Sequence, residues 1–94
     1  MNQKKRKAIR RLIARLYAAS LDRQEAVEQL RDLLYEEEDV RDNYPESLQN
    51  TDIYLAMEEA CDALSDAIDE LDGMDEDDED YSSVIEILNN IDGI

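Results

Sequence analysis

Histidine, tryptophan and phenylalanine are absent from this 94-residue chain, cysteine and proline occur once each, and glycine occurs twice. Without histidine, the commonest general base and metal ligand are missing. A lone cysteine, Cys61, allows no disulfide framework and no paired-cysteine motif; it falls in an apolar stripe and reads as a small core residue. Five tyrosines are the only aromatics, which leaves little bulk for a thick core. The architecture within reach is one small domain of two or three helices sharing a thin apolar seam, completed by a second copy or not. No apolar run approaches the about 20 residues of a membrane span, and the basic start lacks the apolar stretch of a secretory signal. The expected setting is reducing and cytoplasmic, with no membrane.

Basic residues are also missing from most of the chain. Residues 1–21 hold seven Lys and Arg and no acid, whereas the remainder sets Arg23, Arg31 and Arg41 against all 26 acids; the total is −16. Such acidity suits a disordered chain, but the regular apolar spacing argues for helices. Ile9, Leu12, Ile13 and Leu16 share one face of a first, basic helix over residues 4–21. Asp22 with Glu25 has the form of a capping box, which would open a new helix. Yet no Gly or Pro interrupts the pattern, so a first helix continuous through Ser20–Asp22 to about Asn43 is the favoured reading. Its seam continues through Ala26, Val27, Leu30, Leu33, Leu34, Val40 and Tyr44. Glu37 stands where an apolar residue is expected, so this end should be splayed, wet or paired to something basic.

Tyr44-Pro45 stops that helix, because Pro45 lacks an N–H and disfavours the α region for the residue before it. Asn50, Thr51 and Asp52 offer cap oxygens and a first-turn acid for the next helix, about Asp52–Asp72. There Tyr54, Met57, Cys61, Leu64, Ile68 and Leu71 step by 3, 4, 3, 4 and 3, a heptad seam. Glu58, Glu59, Asp62, Asp66, Asp69 and Glu70 cover its outer faces. Gly73 ends it, the run Asp75, Glu76, Asp77, Asp78, Glu79, Asp80 makes an acidic loop, and Val84, Ile85, Leu88 and Ile91 mark a short last helix with Ser82 or Ser83 as cap. The expected fold is all-α: one domain over residues 1–94, an antiparallel, coiled-coil-like helical hairpin over 22–72 with a short C-terminal helix. The thin seam serves an intramolecular hairpin and a homodimer alike.

The acidic loop matches a calcium-loop template at Asp75, Asp77, Glu79 and Glu86, but Asp80 stands where the template needs Gly. A solvated loop is the plainer reading, and no metal or cofactor is expected. No histidine, glycine-rich phosphate loop or nucleophile motif suggests an enzyme. The basic first helix is expected to pair with the chain's own acids. Nucleic acid would be repelled by the acidic remainder over about a Debye length, roughly 8–10 Å. The acids themselves are the sharpest clue. Carboxylates pair with the Arg forks that take phosphate, so a protein built to grip nucleic acid is the expected partner. The candidate contact acids are Glu36, Glu37, Glu38, Asp39, Glu58, Glu59, Asp62, Asp66, Asp69, Glu70 and Asp75–Asp80. The competing surface is the apolar seam of Val27, Leu30, Leu34, Tyr54, Met57, Cys61, Leu64, Ile68 and Leu71, through which a structural or regulatory hairpin would bind a partner.

The run Asp42-Asn43-Tyr44-Pro45-Glu46-Ser47-Leu48-Gln49, followed by Tyr54, Met57-Glu58-Glu59-Ala60, Asp62, Leu64, Ala67-Ile68 and Leu71, resembles a group of small acidic helical-hairpin proteins of unknown function from Gram-positive bacteria and their phages. The likeness covers roughly residues 30–72 and leaves both ends outside it. It implies an antiparallel helical hairpin, a phage or mobile-element context and no catalytic residues. By analogy with other small acidic phage proteins, it implies an inhibitor of host defence of the anti-CRISPR or anti-restriction type, acting as a DNA mimic.

Overall fold

The computed structural model describes residues 1–17, 22–75, 77–78 and 80–93. The fold is all-α. Helix α1 spans Gln3–Tyr17, α2 Arg23–Asp42, α3 Asp52–Asp72 and α4 Ser82–Asp92, with one 3₁₀ turn at Glu46–Leu48. Among the described residues there is no strand.

The favoured continuous first helix is not what the chain forms. Ser20 and Leu21 lie outside the described residues, but Asp22 has extended backbone (φ −62°, ψ 133°) and its carboxylate accepts the Gln24 N–H, which caps a new helix. Glu25 does not complete a capping box; it pairs with Arg15 of α1 at 3.6 Å. Tertiary burial decides the break. An unbroken helix would hold Ile9, Leu12 and Leu16 out in solvent. Folded back, they are at most 3% exposed. Burying each contributes about 1.5–3 kcal/mol, against about 1 kcal/mol net for a helical hydrogen bond lost at the break. The Asp22 cap recovers one such bond.

The turn around Pro45 forms where local chemistry places it. Helix α2 ends at Asp42, and the Asn43 N–H bonds to the Asp39 carbonyl at 3.1 Å. Thr51 caps α3: its Oγ1 accepts the Tyr54 N–H and donates to the Leu48 carbonyl at 2.7 Å. Helices α2 and α3 then run side by side in opposite directions. The rings of Tyr44 and Tyr54 lie 5.9 Å apart at the turn end, and Arg31 meets Asp72 at 3.3 Å towards the other. Helix α4 packs between α3 and α1. Its start is fixed by Asp80, whose Oδ1 accepts both the N–H and the hydroxyl of Ser82. These bonds hold the Asp80 carboxyl below the usual carboxylate range.

All four helices contribute to one apolar cluster, from Ile9, Leu12 and Leu16 through Leu30 and Leu33, Leu64 and Leu71, to Val84, Leu88 and Ile91. Where the sequence suggests a thin seam of two or three helices, four helices of the chain share one core cluster. The signal for it was divided between two short amphipathic segments at opposite ends of the sequence. The molecule is elongated, 47 × 22 × 17 Å, and α2 and α3 are longer than α1 and α4.

Candidate interaction surface

Burial of Met57, Ala60, Cys61, Leu64, Ala67, Ile68 and Leu71 sets the inner face of α3. Glu59, Asp62, Asp66, Asp69 and Glu70 are consequently exposed, and Glu58 is half-buried at the margin. At a rise of about 1.5 Å per residue, the carboxylates of Glu59, Asp62, Asp66 and Asp69 are spread over about 15 Å. That is about two-thirds of the charge density of one DNA strand, which advances about 3.4 Å per phosphate. None of these acids has an ion-pair partner among the described residues.

Helix α2 carries a second row: Glu28, Asp32, Glu36 and Asp39 are exposed at steps of 4, 4 and 3. Glu28 and Asp32 are not among the acids singled out from the sequence, although their spacing, out of phase with Leu30 and Leu33, marks the outer face. Glu38 is half-buried beside Arg41, at 3.8 Å.

Glu37 does not belong to this surface. It is 2% exposed, and its Oε1 accepts from Lys5 Nζ at 2.8 Å while its Oε2 lies 3.6 Å from the Met1 amino group. One turn beyond Leu33 on the same stripe, it faces the start of α1, and of the three alternatives (splayed, wet or paired to a base) the chain takes the last, with Lys5 of that helix. Lys5 is buried with it, at 6% exposure. A charge at either position has no solvent to fall back on, so each partner depends on the other.

The rest of α1 divides in the same way. Arg10 pairs with Asp92 at 3.1 Å, Arg6 donates to the Asp92 carbonyl, and Arg15 pairs with Glu25. Lys4, Lys7 and Arg11 lie exposed on the opposite side and make no ion pair among the described residues. The molecule thus has one basic edge on an otherwise acidic surface.

In the acidic loop, Glu76 and Glu79 lie outside the described residues, while Asp75, Asp77, Asp78 and Asp80 are exposed. The loop's carbonyls are engaged from within the chain. The Arg23 guanidinium donates to the carbonyls of Met74, Asp75 and Asp78, and lies 5.9 Å from the centre of the Tyr81 ring. An arginine from α2 therefore stands where the loop's carbonyls converge. Among the described residues no three Asp, Glu or Cys side chains come together to hold a metal ion.

Of the seam residues, Val27, Leu30, Met57, Cys61, Leu64, Ile68 and Leu71 are buried, and Leu34 and Tyr54 are half-buried. Burial pushes the Cys61 thiol above its ordinary range, partly offset by the Arg41 guanidinium. Val40, which the pattern assigns to the seam, is 45% exposed, as are Leu48 at 43%, Ile53 at 64% and Leu55 at 50%. Ile53 and Leu55 are not among the residues singled out from the sequence: Ile53 falls on the buried face of α3, four residues before Met57 and seven before Ala60, and Leu55 lies off that face. Among the described residues no helix is long and apolar enough to cross a membrane. No protein-family model, curated protein or solved structure matches this chain.

Proposed function

We propose that this protein is a non-enzymatic binding protein that covers a Lys- and Arg-rich, nucleic-acid-binding surface of a protein partner. The observation that carries the reading is the pair of solvent-facing carboxylate rows on α2 and α3. They are regularly spaced, and the α3 row from Glu59 to Asp69 has no ion-pair partner among the described residues. A row of fixed carboxylates offers Arg forks the geometry that they use on phosphate, without a nucleic acid having to be bent or sorted. The likeness of residues 30–72 to small acidic hairpin proteins of Gram-positive bacteria and their phages supports, by analogy, a partner among host defence proteins of the restriction or CRISPR kind.

The test is a pull-down from nuclease-treated bacterial lysate at about 0.15 M salt, with duplex DNA as competitor. One nucleic-acid-binding protein, released by DNA, is the expected result. The variant Glu59→Lys, Asp62→Lys, Asp66→Lys, Asp69→Lys should bind that protein about a hundredfold more weakly while remaining folded. Undiminished binding by the folded variant would refute the reading. Two competing readings have less support. A partner for the apolar seam would have to open a core in which Leu30, Leu64 and Leu71 are fully buried. A calcium response would have to displace Arg23 from the loop carbonyls.

A further inference from the structure

The outer face of α1 is a basic stripe without an acidic partner among the described residues. Burial of Lys5, Ile9, Leu12 and Leu16 fixes the inner face of this helix. At about 100° per residue, Lys4, Lys7 and Arg11 fall within about 60° of one another on the far side, and all three are exposed. None of them forms an ion pair among the described residues. Arg11 Nε donates to the Lys7 carbonyl, at 3.5 Å, within the helix. The neighbouring Arg10 and Arg15 are engaged by Asp92 and Glu25. The outer face of α3 is the converse. Asp62, Asp66 and Asp69 are exposed, lie on one stripe and have no ion-pair partner among the described residues. The two stripes do not meet within one chain, because α4 packs between α1 and α3 and each outer face turns away from the core that these helices share.

We infer that the basic stripe of α1 docks on the acidic stripe of α3 in a second copy of this chain. Charge and spacing identify the occupant. Lys4, Lys7 and Arg11 advance by steps of 3 and 4 residues, and Asp69, Asp66 and Asp62, read in reverse, do the same. Each set spans about 10 Å of helix. With the two helices antiparallel, Lys4 meets Asp69, Lys7 meets Asp66 and Arg11 meets Asp62. Ala14, small and exposed, then lies opposite Glu59. The contact joins two different patches and is heterologous: each copy offers α1 to one neighbour and α3 to another, so copies add in series. The net charge of −16 opposes the contact, and exposed ion pairs are individually weak, so association belongs to high protein concentration. A second copy carries cations as well as acids. Duplex nucleic acid carries about one charge per 1.7 Å and no cation, and the acidic body repels it more strongly. The inference needs no protein partner, but a partner covering the α3 row and a second copy would exclude one another there.

The test is a reciprocal charge exchange in the full chain at about 0.15 M salt. Sedimentation velocity reads it from micromolar to millimolar protein, with helicity checked by circular dichroism. The unaltered protein should show an average mass that rises with concentration. The variant Lys4→Glu, Lys7→Glu, Arg11→Glu and, separately, the variant Asp62→Lys, Asp66→Lys, Asp69→Lys should each associate at least tenfold more weakly. An equimolar mixture of the two should recover association, because the reversed α1 of one meets the reversed α3 of the other. Both variants stay net negative, so bulk attraction does not produce that recovery. A single-chain mass at millimolar protein would overturn the inference. So would undiminished association of either folded variant, or a mixture that stays dissociated. Each of these failures leaves the proposed function standing, since that is read against a protein partner.

Discussion

The four-helix body and the turn end are built from one apolar pattern, yet they are different surfaces. In the body, Leu33, Leu64 and Leu71 join residues of α1 and α4 in one core cluster. At the turn end, Val40 and Ile53 continue those stripes but are 45% and 64% exposed. Charge divides along the same line. Bases reach acids across helices in the body, as Lys5 does Glu37, Arg10 does Asp92 and Arg31 does Asp72, whereas the acids of the turn end share Arg41 alone. A helical stripe therefore states only that one face is apolar. Whether it is core or contact surface depends on the lengths of neighbouring helices.

The comparison breaks most visibly at the boundary between the regions. Glu37→Ala leaves Lys5 buried without its partner and should cost about 3–5 kcal/mol in urea unfolding. The paired change Lys5→Met, Glu37→Leu should recover part of that loss, since it removes the stranded Lys5 charge but leaves the Met1 amino group without the Glu37 carboxylate 3.6 Å away. Within the body, Leu64→Ala should cost about 2–5 kcal/mol, whereas Ile53→Ala at the turn end should stay within about 0.5 kcal/mol. Equal costs for the two would mean that the turn end is packed after all.

Smaller effects sharpen the picture. Asp22→Ala removes the cap that separates α1 from α2 and should cost about 1 kcal/mol. Hydrogen exchange should report it as faster opening of the first turn of α2. Arg23→Gln should release the loop carbonyls and speed exchange over residues 74–78, with little change in the exchange of α3. The smallest effect is the pH dependence from Cys61. Its folded thiol holds its proton more tightly than the unfolded one, so the contribution to stability is full below the unfolded value near 9.0 and is lost as pH rises through the higher folded value. Denaturation followed from pH 8 to pH 10 should show this decline, and Cys61→Ala should remove it.

Local chemistry made much of this legible. The lone proline and Thr51 mark the turn, and the 3-4 stepping of α3 marks its buried face, which leaves its carboxylates outside. The charge imbalance is plain from composition alone. The break at Asp22 was visible as a possible cap, but nothing within those few residues weighs a cap against a continuous helix. That choice belongs to the contact of Ile9, Leu12 and Leu16 with α4, some seventy residues further along the chain. Glu37 shows the same limit. Its place on an apolar stripe was plain, but whether it would be wet or buried depended on Lys5 arriving from α1. Residue periodicity by itself determined which faces are apolar and which acidic, because each helix repeats within a few residues. Only the tertiary structure decided which faces are covered, because covering a face requires another helix of sufficient length to fold against it.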